Sequence, residues 1–516
     1  MLPAGLALTA ASAPRRIVEL KIGLILVVLI SIAPCIGRSD EQIVVDPAAA
    51  HHSFPHFWEQ MFGSGRAILT LRESYRHDLR AVKQATDFEF VRFHAIFHDE
   101  IGIYDEDSHG VPRYNFSYVD QVYDGLLENG VRPFVELSFM PRKLASRNTV
   151  QSFSYQPFVA PPRNYARWDA LITNFATHLI ARYGIDEVAQ WYFEVWNEPN
   201  LDFWAGVPAQ ASYWTLYDHT ARALKQVNPR LRVGGPSTAQ AAWVSAFIRH
   251  TSEQQVPLDF VSTHVYANDK SKDVFGTHEQ ISRGEMVCRA AKKVHDEVTA
   301  SARPNIPIIW SEYNASYFNE TKITDSVFMG PWLADTLRQC DGLTDMMSYW
   351  TLSDVFEEQG VVRRPFYGGF GLMAAGGIPK PAFNAFKMLH ELGEERFATD
   401  SEHALITRRK DGSFVIALWN YVSPGENALP ITIALRLPQG ARTVRLRRLD
   451  ESHGDARGEY ARMGSPQYPT PEQLEALRSG AALAAPEELS IVNDQVSITL
   501  PANGLATVEV LLAARS

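Results

Sequence analysis

Between residues 54 and 394, short apolar runs alternate with longer amphipathic segments. Apolar runs of this length, bounded by turn residues, are typical of buried strands. Repeated alternation of strands with helices indicates βα units around a parallel sheet. The predicted strands cover residues 57–63, 88–94, 132–139, 191–196, 231–235, 260–266, 306–312 and 346–351.

The segments between these runs carry apolar residues at helical spacing and predict helices. Pro381 is expected in the first turn of the last helix, and Gly393 is expected to close it. About eight βα units are what a closed (β/α)8 barrel needs. A doubly wound open sheet is the alternative, but no Gly-rich phosphate loop follows an early strand. The predicted helices cover residues 72–86, 118–129, 165–183, 213–227, 239–254, 283–300, 325–340 and 381–393.

After Gly393 the pattern changes to alternating polar and apolar residues, which predicts a small antiparallel β-sandwich. Thr470 and Gln473 have the spacing of a capping box and predict an inserted helix. The short strand 42–45 is expected to pair into the sandwich. The predicted organisation is therefore a leader over 1–38, a segment over 39–53, a barrel over 54–394 and a sandwich over 395–516. The sandwich strands are expected at residues 413–420, 431–437, 443–449, 495–500 and 506–512.

Composition excludes several classes of protein. The 516 residues are 46% hydrophobic and 21% charged, which is ordinary for a globular protein with a large core. The net charge of −10, without a long basic run, argues against nucleic acid as a partner. Cys35, Cys288 and Cys340 have neither metal-ligand nor disulfide-framework spacing. Zinc and redox chemistry are therefore not expected, and no motif indicates a cofactor.

The N-terminal region predicts export. Basic residues precede the apolar segment 22–36, which is too short for a stable membrane span but suits the core of a signal peptide. The protein is expected to be periplasmic or secreted. Three details stay open: a true start downstream, twin-arginine export through Arg15-Arg16, and lipid attachment at Cys35.

Two carboxylates directly follow predicted strands. Glu198 ends the fourth strand and Glu312 ends the seventh. Because the carboxyl ends of barrel strands meet at one mouth, we expect both side chains there. Glycoside hydrolysis needs two carboxyl groups flanking the scissile bond, one as proton donor and one as nucleophile or base. No serine elbow, Cys/His pair or HExxH helix competes with this interpretation.

Each of these residues also has a purely structural interpretation. A single strand-end Glu or His is more often a hydrogen-bonding residue of the scaffold, and Glu357-Glu358 could be a solvated loop. Trp350 could be a core residue. Arg92 could orient a catalytic carboxylate or form a structural salt bridge, with equal weight. Glu136 and Glu194 are interpreted as structural, because strand parity places Glu194 below Glu198 inside the barrel.

Taken together, these residues resemble glycoside hydrolase family 39, the retaining barrel enzymes of clan A that include β-xylosidases and α-L-iduronidases. The chain is most similar to the bacterial β-xylosidase branch, from about Phe54 to beyond Gly454. Asn-Glu-Pro at 197–199 marks only the wider clan, whereas the segment 348–358 is more specific. The resemblance rests on residues 91–94, 96–99, 132–136, 193–200, 263–266, 311–314 and 348–358.

The resemblance implies that Glu198 is the acid/base and Glu312 the nucleophile. Asn197 would hold the sugar 2-hydroxyl, where its contact strengthens in the transition state. Tyr266 would hydrogen-bond Glu312 and keep it ionised, while the surroundings of Glu198 should raise its pKa. The implied substrate-binding residues are His98, Asp99, Asn197, His264, Tyr266, Trp350, Glu357 and Glu358.

The expected function is that of an exported, retaining, exo-acting β-xylosidase that releases xylose from the non-reducing end of β-1,4-xylooligosaccharides. One alternative is a member of the same family with another sugar preference, such as an α-L-arabinosidase or α-L-iduronidase. The acidic pair Glu357-Glu358 argues against an iduronate carboxylate. The other alternative is a carbohydrate-binding barrel without catalysis, against which both glutamates argue.

Overall fold

The computed structural model describes residues 40–427 and 429–513, and these belong to one compact unit. The expected signal peptide and Cys35 lie outside the described residues. In the described part of the chain, none of the helices combines the length and apolarity that crossing a membrane requires.

The strands of the described residues form one closed barrel, two larger sheets and two short hairpins. They are β1 Asp40–Val44, β2 His51–Ser53, β3 Met61–Arg66, β4 Phe90–His94, β5 Tyr104–Glu106, β6 Pro112–Tyr114, β7 Arg132–Glu136, β8 Tyr192–Glu194, β9 Arg232–Thr238, β10 Phe260–Tyr266, β11 Ile308–Asn314, β12 Met346–Tyr349, β13 Met373–Ala374, β14 Ile378–Pro379, β15 Glu395–Phe397, β16 Ala404–Arg408, β17 Phe414–Trp419, β18 Ile431–Arg436, β19 Ala441–Leu449, β20 Glu487–Leu489, β21 Gln495–Leu500 and β22 Leu505–Leu512.

Most of the longer helices follow a barrel strand and cover its outer face. The α-helices are α1 Glu73–Thr86, α2 Ser117–Leu127, α3 Tyr165–Tyr183, α4 Ile185–Val188, α5 Ala209–Val227, α6 Val244–Glu253, α7 Ser271–Phe275, α8 Met286–Thr299, α9 Met329–Cys340, α10 Pro381–Leu389, α11 Arg457–Arg462 and α12 Pro471–Ala481, and short 3-10 helices cover Ala67–Leu71 and Ala239–Ala241.

The predicted (β/α)8 barrel is confirmed. Eight parallel strands close in the order β3, β4, β7, β8, β9, β10, β11, β12 and back to β3. One layer of apolar side chains, from the first to third residues of seven of these strands, fills the barrel floor, so the barrel is a packed core and polar chemistry is left to the opposite mouth. This layer consists of Met61, Phe90, Phe134, Phe260, Ile309 and Met346, with Tyr192 packed against it.

The hydrophobic pattern located the strands, but some ends differ. The fourth barrel strand stops at Glu194, two residues before the predicted end, since Trp196 and Glu198 adopt left-handed backbone angles with φ of 73° and 44°. The predicted helix 239–254 is a 3-10 turn followed by α6, separated by Trp243 at φ 65°. Positive φ values depend on local tertiary contacts, and the spacing of hydrophobic residues gives no information about such contacts.

The role expected for Gly393 was wrong. Helix α10 ends at Leu389, and His390 caps it. A Cβ added to Gly393 would lie 2.1 Å from the backbone carbonyl carbon of Arg408. Gly393 is therefore needed where two backbone segments approach closely, and it does not terminate the helix.

The C-terminal strands form the predicted sandwich. One sheet has the order β1-β18-β21 and the other β2-β15-β16-β17-β22-β19-β20. Ile43, Ile433 and Val496 of the small sheet share one apolar cluster with Ile416 and Val508 of the large sheet. The strand β1 pairs with β18 in parallel, so the small sheet is not fully antiparallel.

The sandwich packs against the outer helices of the barrel. Trp419, Leu449 and Leu505 belong to the hydrophobic cluster of the barrel. A Cβ on Gly330 in α9 would lie 3.2 Å from both leucines, so a small residue there permits this contact. The sandwich therefore supports the barrel over a buried apolar surface.

The predicted helix at Thr470 is confirmed with both hydrogen bonds of its capping box. With α11, this helix packs against Phe366, Ala374 and Ile378, which follow the eighth barrel strand. The inserted helices therefore hold the loop that carries Glu357 and Glu358.

Cys288 in α8 and Cys340 in α9 form a disulfide. The spacing of these cysteines gave no indication of this pairing. The two residues meet because α8 and α9 are neighbours on the outside of the barrel, which is a property of the tertiary fold.

Candidate active site

A cavity of about 330 Å³ opens at the carboxyl ends of the barrel strands. Its walls come from loops after most of the strands, as expected for a barrel of this kind. The lining residues are His94, Phe153, Asn197, Glu198, Leu201, Phe203, Ala239, Gln240, Tyr266, Asp269, Glu312, Tyr317, Trp350, Glu358 and Phe370.

The two candidate catalytic glutamates face each other across this cavity. Glu198 stands on the turn after β8, and Glu312 is the fifth residue of β11. One carboxylate oxygen of each, together with a ring nitrogen of His264, lies within 4.8 Å of the others. Both carboxyl groups are buried, so the low-polarity surroundings strengthen every charge interaction between them.

The turn after β8 holds Glu198 in a strained backbone conformation. The backbone N–H of Glu198 donates to the carbonyl oxygen of Ser237 at 2.7 Å. The side chain of Asn200 binds both the N–H and the carbonyl oxygen of Ala239, at 2.9 and 3.1 Å. A non-glycine residue with positive φ costs about 1–3 kcal/mol, and these contacts to the next strand sustain it. Such strain concentrates at functional sites, which is consistent with a catalytic position.

Arg92 lies below the cavity and contacts the candidate nucleophile. Its Nη1 donates to Glu312 Oε1 at 2.7 Å, and its Nε donates to Glu194 Oε2 at 2.6 Å. Its Nη2 donates to the Asn197 side-chain oxygen at 2.9 Å and lies 2.7 Å from Glu136 Oε2. The guanidinium group is fully buried and orients Glu312 directly. Arg92 therefore both orients a candidate catalytic carboxylate and forms structural salt bridges.

His94 supplies a second positive charge beside the cavity. It shares a face of β4 with Arg92, two residues earlier. Its Nδ1 lies 2.6 Å from Glu136 Oε2, and its Nε2 lies 3.5 Å from Glu358 Oε1. Burial lowers the pKa of His94, but the charges of Glu136 and Glu312 and the hydrogen bond to Glu136 together outweigh burial, so the pKa is raised overall. The imidazolium form is therefore favoured next to Glu312, whose Oε1 lies 4.0 Å away.

The surroundings separate the protonation states of the two glutamates. Burial, and then the charge of Glu312, raise the pKa of Glu198 well above the usual range. Burial also raises the pKa of Glu312, but Arg92, His94 and a hydrogen bond from Tyr266 oppose that effect. The Tyr266 hydroxyl donates to Glu312 Oε2 at 2.7 Å. A proton shared by the pair therefore resides on Glu198, as an acid facing an ionised nucleophile requires.

A chain of hydrogen bonds behind Glu198 favours the same state. Ser311 donates its single hydroxyl proton to Glu194 Oε1 at 2.6 Å, so its oxygen accepts from His264 Nε2 at 3.1 Å. This leaves His264 Nδ1, 3.0 Å from Glu198 Oε1, as an acceptor. Burial lowers the pKa of His264 well below its usual value, so the ring is neutral. A neutral acceptor stabilises the protonated form of Glu198.

Trp350 forms an aromatic wall of the cavity beside His94. A Cβ on Gly63 would lie 2.2 Å from the indole ring, so glycine is required where the ring packs against the first barrel strand. The ring centroids of Trp350 and His94 are 4.8 Å apart. Burial raises the pKa of Glu358 to about 8, so this carboxyl group is largely protonated at neutral pH and can donate as well as accept hydrogen bonds.

The structure brings most of the predicted site residues together. Asn197, Tyr266, Trp350 and Glu358 line the cavity with the two glutamates. His264 lies directly behind Glu198 and reaches the reaction through that carboxyl group.

Besides His264, three other predicted residues do not line this cavity. His98 Nε2 bonds the carbonyl oxygen of Tyr155 at 3.1 Å, and Asp99 accepts from the backbone N–H of Arg142 at 3.1 Å. Glu357 accepts two hydrogen bonds from Arg72 and faces a neighbouring cavity of about 780 Å³. These polar side chains are occupied by loop contacts, so we expect them to support the walls of the site and not to bind the sugar directly.

Sequence reasoning missed several lining residues. Asp269, Gln240 and Tyr317 follow the sixth, fifth and seventh barrel strands, and Phe153 belongs to the long segment between β7 and α3. The position of His94 could have been predicted, because it lies two residues after Arg92 on the same strand and therefore faces the same side. The others stand on loops, where neither periodicity nor a motif locates a side chain.

A closed parallel barrel with two buried, facing glutamates at its carboxyl-terminal mouth is the architecture of a glycoside hydrolase. The model of the family described as Glycosyl hydrolases family 39 matches residues 41–490. The chain therefore belongs to glycoside hydrolase family 39, as the sequence motifs predicted.

Similar proteins cover most of the chain. A protein named beta-xylosidase from Geobacillus stearothermophilus is 36% identical over 483 residues, covering 91% of this chain and 95% of that protein. Another, from Caldicellulosiruptor saccharolyticus, is 36% identical over 444 residues, covering 83% and 88%. The crystal structure of a monomeric beta-xylosidase from Caulobacter crescentus CB15 is 34% identical, with a TM-score of 0.82, covering 92% of this chain and 100% of that one.

Proposed function

We propose that the protein is a retaining, exo-acting β-xylosidase that releases xylose from the non-reducing end of β-1,4-xylooligosaccharides. The observation that carries this proposal is the approach of Glu198 and Glu312 oxygens to within 4.8 Å. Retaining enzymes place their carboxyl groups about 5–5.5 Å apart, whereas inverting enzymes leave about 6.5–9.5 Å for a water molecule. The similarity to proteins named beta-xylosidase supports the choice of sugar.

In the first step, ionised Glu312 attacks the anomeric carbon and forms a covalent xylosyl ester. Glu198 donates its proton to the leaving oxygen as that bond breaks. In the second step, Glu198, now a carboxylate, removes a proton from water while the water attacks the same carbon and releases Glu312. Two inversions keep the β configuration. Asn197 is positioned by Arg92 to hold the 2-hydroxyl group.

The charges around the cavity support a neutral sugar over a uronic acid. Among the described residues that line the cavity, His94 is the basic one, and it is paired with Glu136. A substrate carboxylate would also meet the ionised Glu312, which repels it, while Glu198 and Glu358 are protonated and offer no positive charge to offset that repulsion. This favours xylosides over iduronides.

The cavity wall on the Glu198 side is suited to bind a sugar as the leaving group. Leu201, Gln240, Asp269 and Tyr317 line the cavity on loops after the fourth to seventh strands, the side on which Glu198 stands. A carboxylate and an amide can bind the hydroxyls of a second xylose, and an aromatic ring can pack on its face.

A panel of substrates tests the proposed function. Aryl β-D-xylosides should be hydrolysed with a kcat/KM at least about 10-fold above those of aryl glucosides and iduronides, because one additional group in a tight site costs about 10–200-fold. Nuclear magnetic resonance should show β-xylose as the first product. A faster iduronide or arabinoside, or α-xylose as first product, would contradict the proposal.

We also propose that the protein is exported. The basic residues before the apolar segment 22–36 and the disulfide between Cys288 and Cys340 support this, since disulfides persist in oxidising compartments. Fractionation of the cells that produce the protein should find it outside the cytoplasm with both thiols resistant to alkylation until reduced. A cytoplasmic protein with two reactive thiols would count against export.

A further inference from the structure

A second group of ligand side chains lies at the end of the barrel away from the active site. His56 and Glu59 precede the first barrel strand, and His390 caps helix α10. In a (β/α)8 barrel, strand beginnings and helix ends meet at the amino-terminal face. This group is therefore separate from the catalytic cavity, and the hydrolytic mechanism does not use it.

Three ligand atoms of this group converge. His56 Nδ1 lies 2.5 Å from Glu59 Oε1, and His390 Nδ1 lies 2.9 Å from the same oxygen. One ligand atom of each residue lies within 4.8 Å of the others. The His56 ring is held in place by stacking on Trp58, with centroids 4.4 Å apart. The geometry is thus set by packing and not by the three side chains alone.

The hydrogen bonds in the structure leave part of the group unsatisfied. Glu59 is 4% exposed, and its Oε2 has no hydrogen-bond partner among the described residues. A buried carboxylate normally has partners for both oxygens. Asp87 and Glu391 add negative charge around His390. A cation would suit this group, because an unpartnered carboxylate oxygen lies next to two imidazole rings and further carboxylates are nearby.

We propose that His56, Glu59 and His390 bind a zinc ion. Two imidazole nitrogens and one carboxylate form a common zinc ligand set, with bonds of about 2.0–2.2 Å. Tetrahedral geometry at these bond lengths places neighbouring ligand atoms about 3.3 Å apart, so each side chain needs to move by less than about 1 Å. The side chain of His390 is 41% exposed, which leaves a fourth position for water.

The zinc ion would connect the beginning of the barrel segment to its end. His56 stands before β3, and His390 stands where the chain leaves α10 for the sandwich. A metal bound only by the folded chain stabilises that fold by mass action. The site is therefore structural, and its occupancy should change stability but not turnover.

The test is zinc binding to the full chain after chelation and dialysis. Isothermal titration calorimetry should show one zinc ion bound with micromolar affinity. A hundredfold excess over the dissociation constant should raise the Tm by about 3 °C. His56→Gln and His390→Gln should each weaken this binding at least about tenfold and, at the same zinc concentration, reduce the Tm shift to about half or less, while circular dichroism and hydrolysis show that both variants are folded.

His453→Gln is the matched control. His453 is 44% exposed and contacts Asp450 Oδ1 through Nδ1 at 2.8 Å, much as His390 contacts Glu59, but it has no third ligand nearby among the described residues. This variant should bind zinc as the unchanged protein does. If His56→Gln fails to fold, His390→Gln decides the question alone, because its side chain is largely on the surface.

Two results would overturn the proposal. One is an unchanged protein that binds no zinc. The other is zinc binding that survives in His390→Gln and inhibits hydrolysis, since the ion would then sit at the second group of converging ligands, Glu198, His264 and Glu312.

Discussion

Glu312→Ala is expected to lower the turnover of an aryl β-xyloside by about 10⁵-fold, the loss typical of removing a nucleophile. Arg92 and Tyr266 each hydrogen-bond one oxygen of Glu312 and hold it ionised in the cavity. Alanine leaves a gap in which a small anion can attack the anomeric carbon. Azide should therefore restore part of the activity and give an α-xylosyl azide, because a single displacement inverts the configuration.

Glu320→Ala is the control for this experiment. Glu320 lies on the loop after the same strand and pairs with Arg283 at 2.9 Å, outside the cavity. This variant should retain its activity within about twofold, as surface substitutions generally do. Unchanged turnover in Glu312→Ala, or a β-xylosyl azide as product, would show that Glu312 is not the nucleophile.

Glu198→Ala is expected to separate substrates by their leaving group. Xylobiose, whose leaving oxygen needs a proton, should lose about 10³–10⁴-fold in kcat/KM. A dinitrophenyl xyloside needs no acid, so its first step should stay fast and the xylosyl-enzyme should accumulate. Azide should then accelerate turnover and give a β-xylosyl azide, because Glu312 still performs the first displacement. The ratio of the two kcat/KM values is the measurement.

The pH dependence of kcat/KM follows from the same residue. The active enzyme has Glu198 protonated and Glu312 ionised, so activity falls once the pH exceeds the pKa of Glu198. Burial and Glu312 raise this pKa, so the alkaline limb should lie above the pH at which an ordinary carboxyl group titrates. Glu198→Ala should lose this limb in its residual hydrolysis of xylobiose, whose leaving oxygen needs the proton. Asp202→Ala, an exposed carboxylate on the same loop, should keep it.

Equal losses for xylobiose and the dinitrophenyl xyloside in Glu198→Ala would contradict the acid/base role. An alkaline limb that survives in this variant would assign the titration to another group. Glu358, whose pKa burial raises to about 8, is then the group to replace next.

The fold was predictable because the barrel repeats one simple rule. Each strand is a short run buried on both faces, and each helix has one apolar side, so periodicity alone located eight units. The helix predicted over 165–183 agrees with α3 at both ends. Errors arose where the chain departs from regular geometry, as at Trp196 and at Gly393, because single contacts decide the backbone there.

The candidate site was predictable in part. Glu198 and Glu312 could be predicted because each directly follows an apolar run, and barrel topology brings all strand ends to one mouth. His98, Asp99 and Glu357 were expected in the sugar site, but their polar atoms contact Tyr155, Arg142 and Arg72. A motif names residues that act together, but it does not say which of them face the cavity.

The sequence by itself determined the barrel, the sandwich, the family and the two glutamates, since these depend on periodicity and on residues next to strand ends. The resemblance predicted that Glu198 holds the proton, but only the tertiary structure gives the physical reason for it. That outcome depends on Arg92, His94 and Tyr266 lying on the Glu312 side and neutral His264 lying behind Glu198. The disulfide and the group formed by His56, Glu59 and His390 likewise join residues far apart in the chain. Electrostatic energies depend on distances between atoms, and folding alone sets those distances.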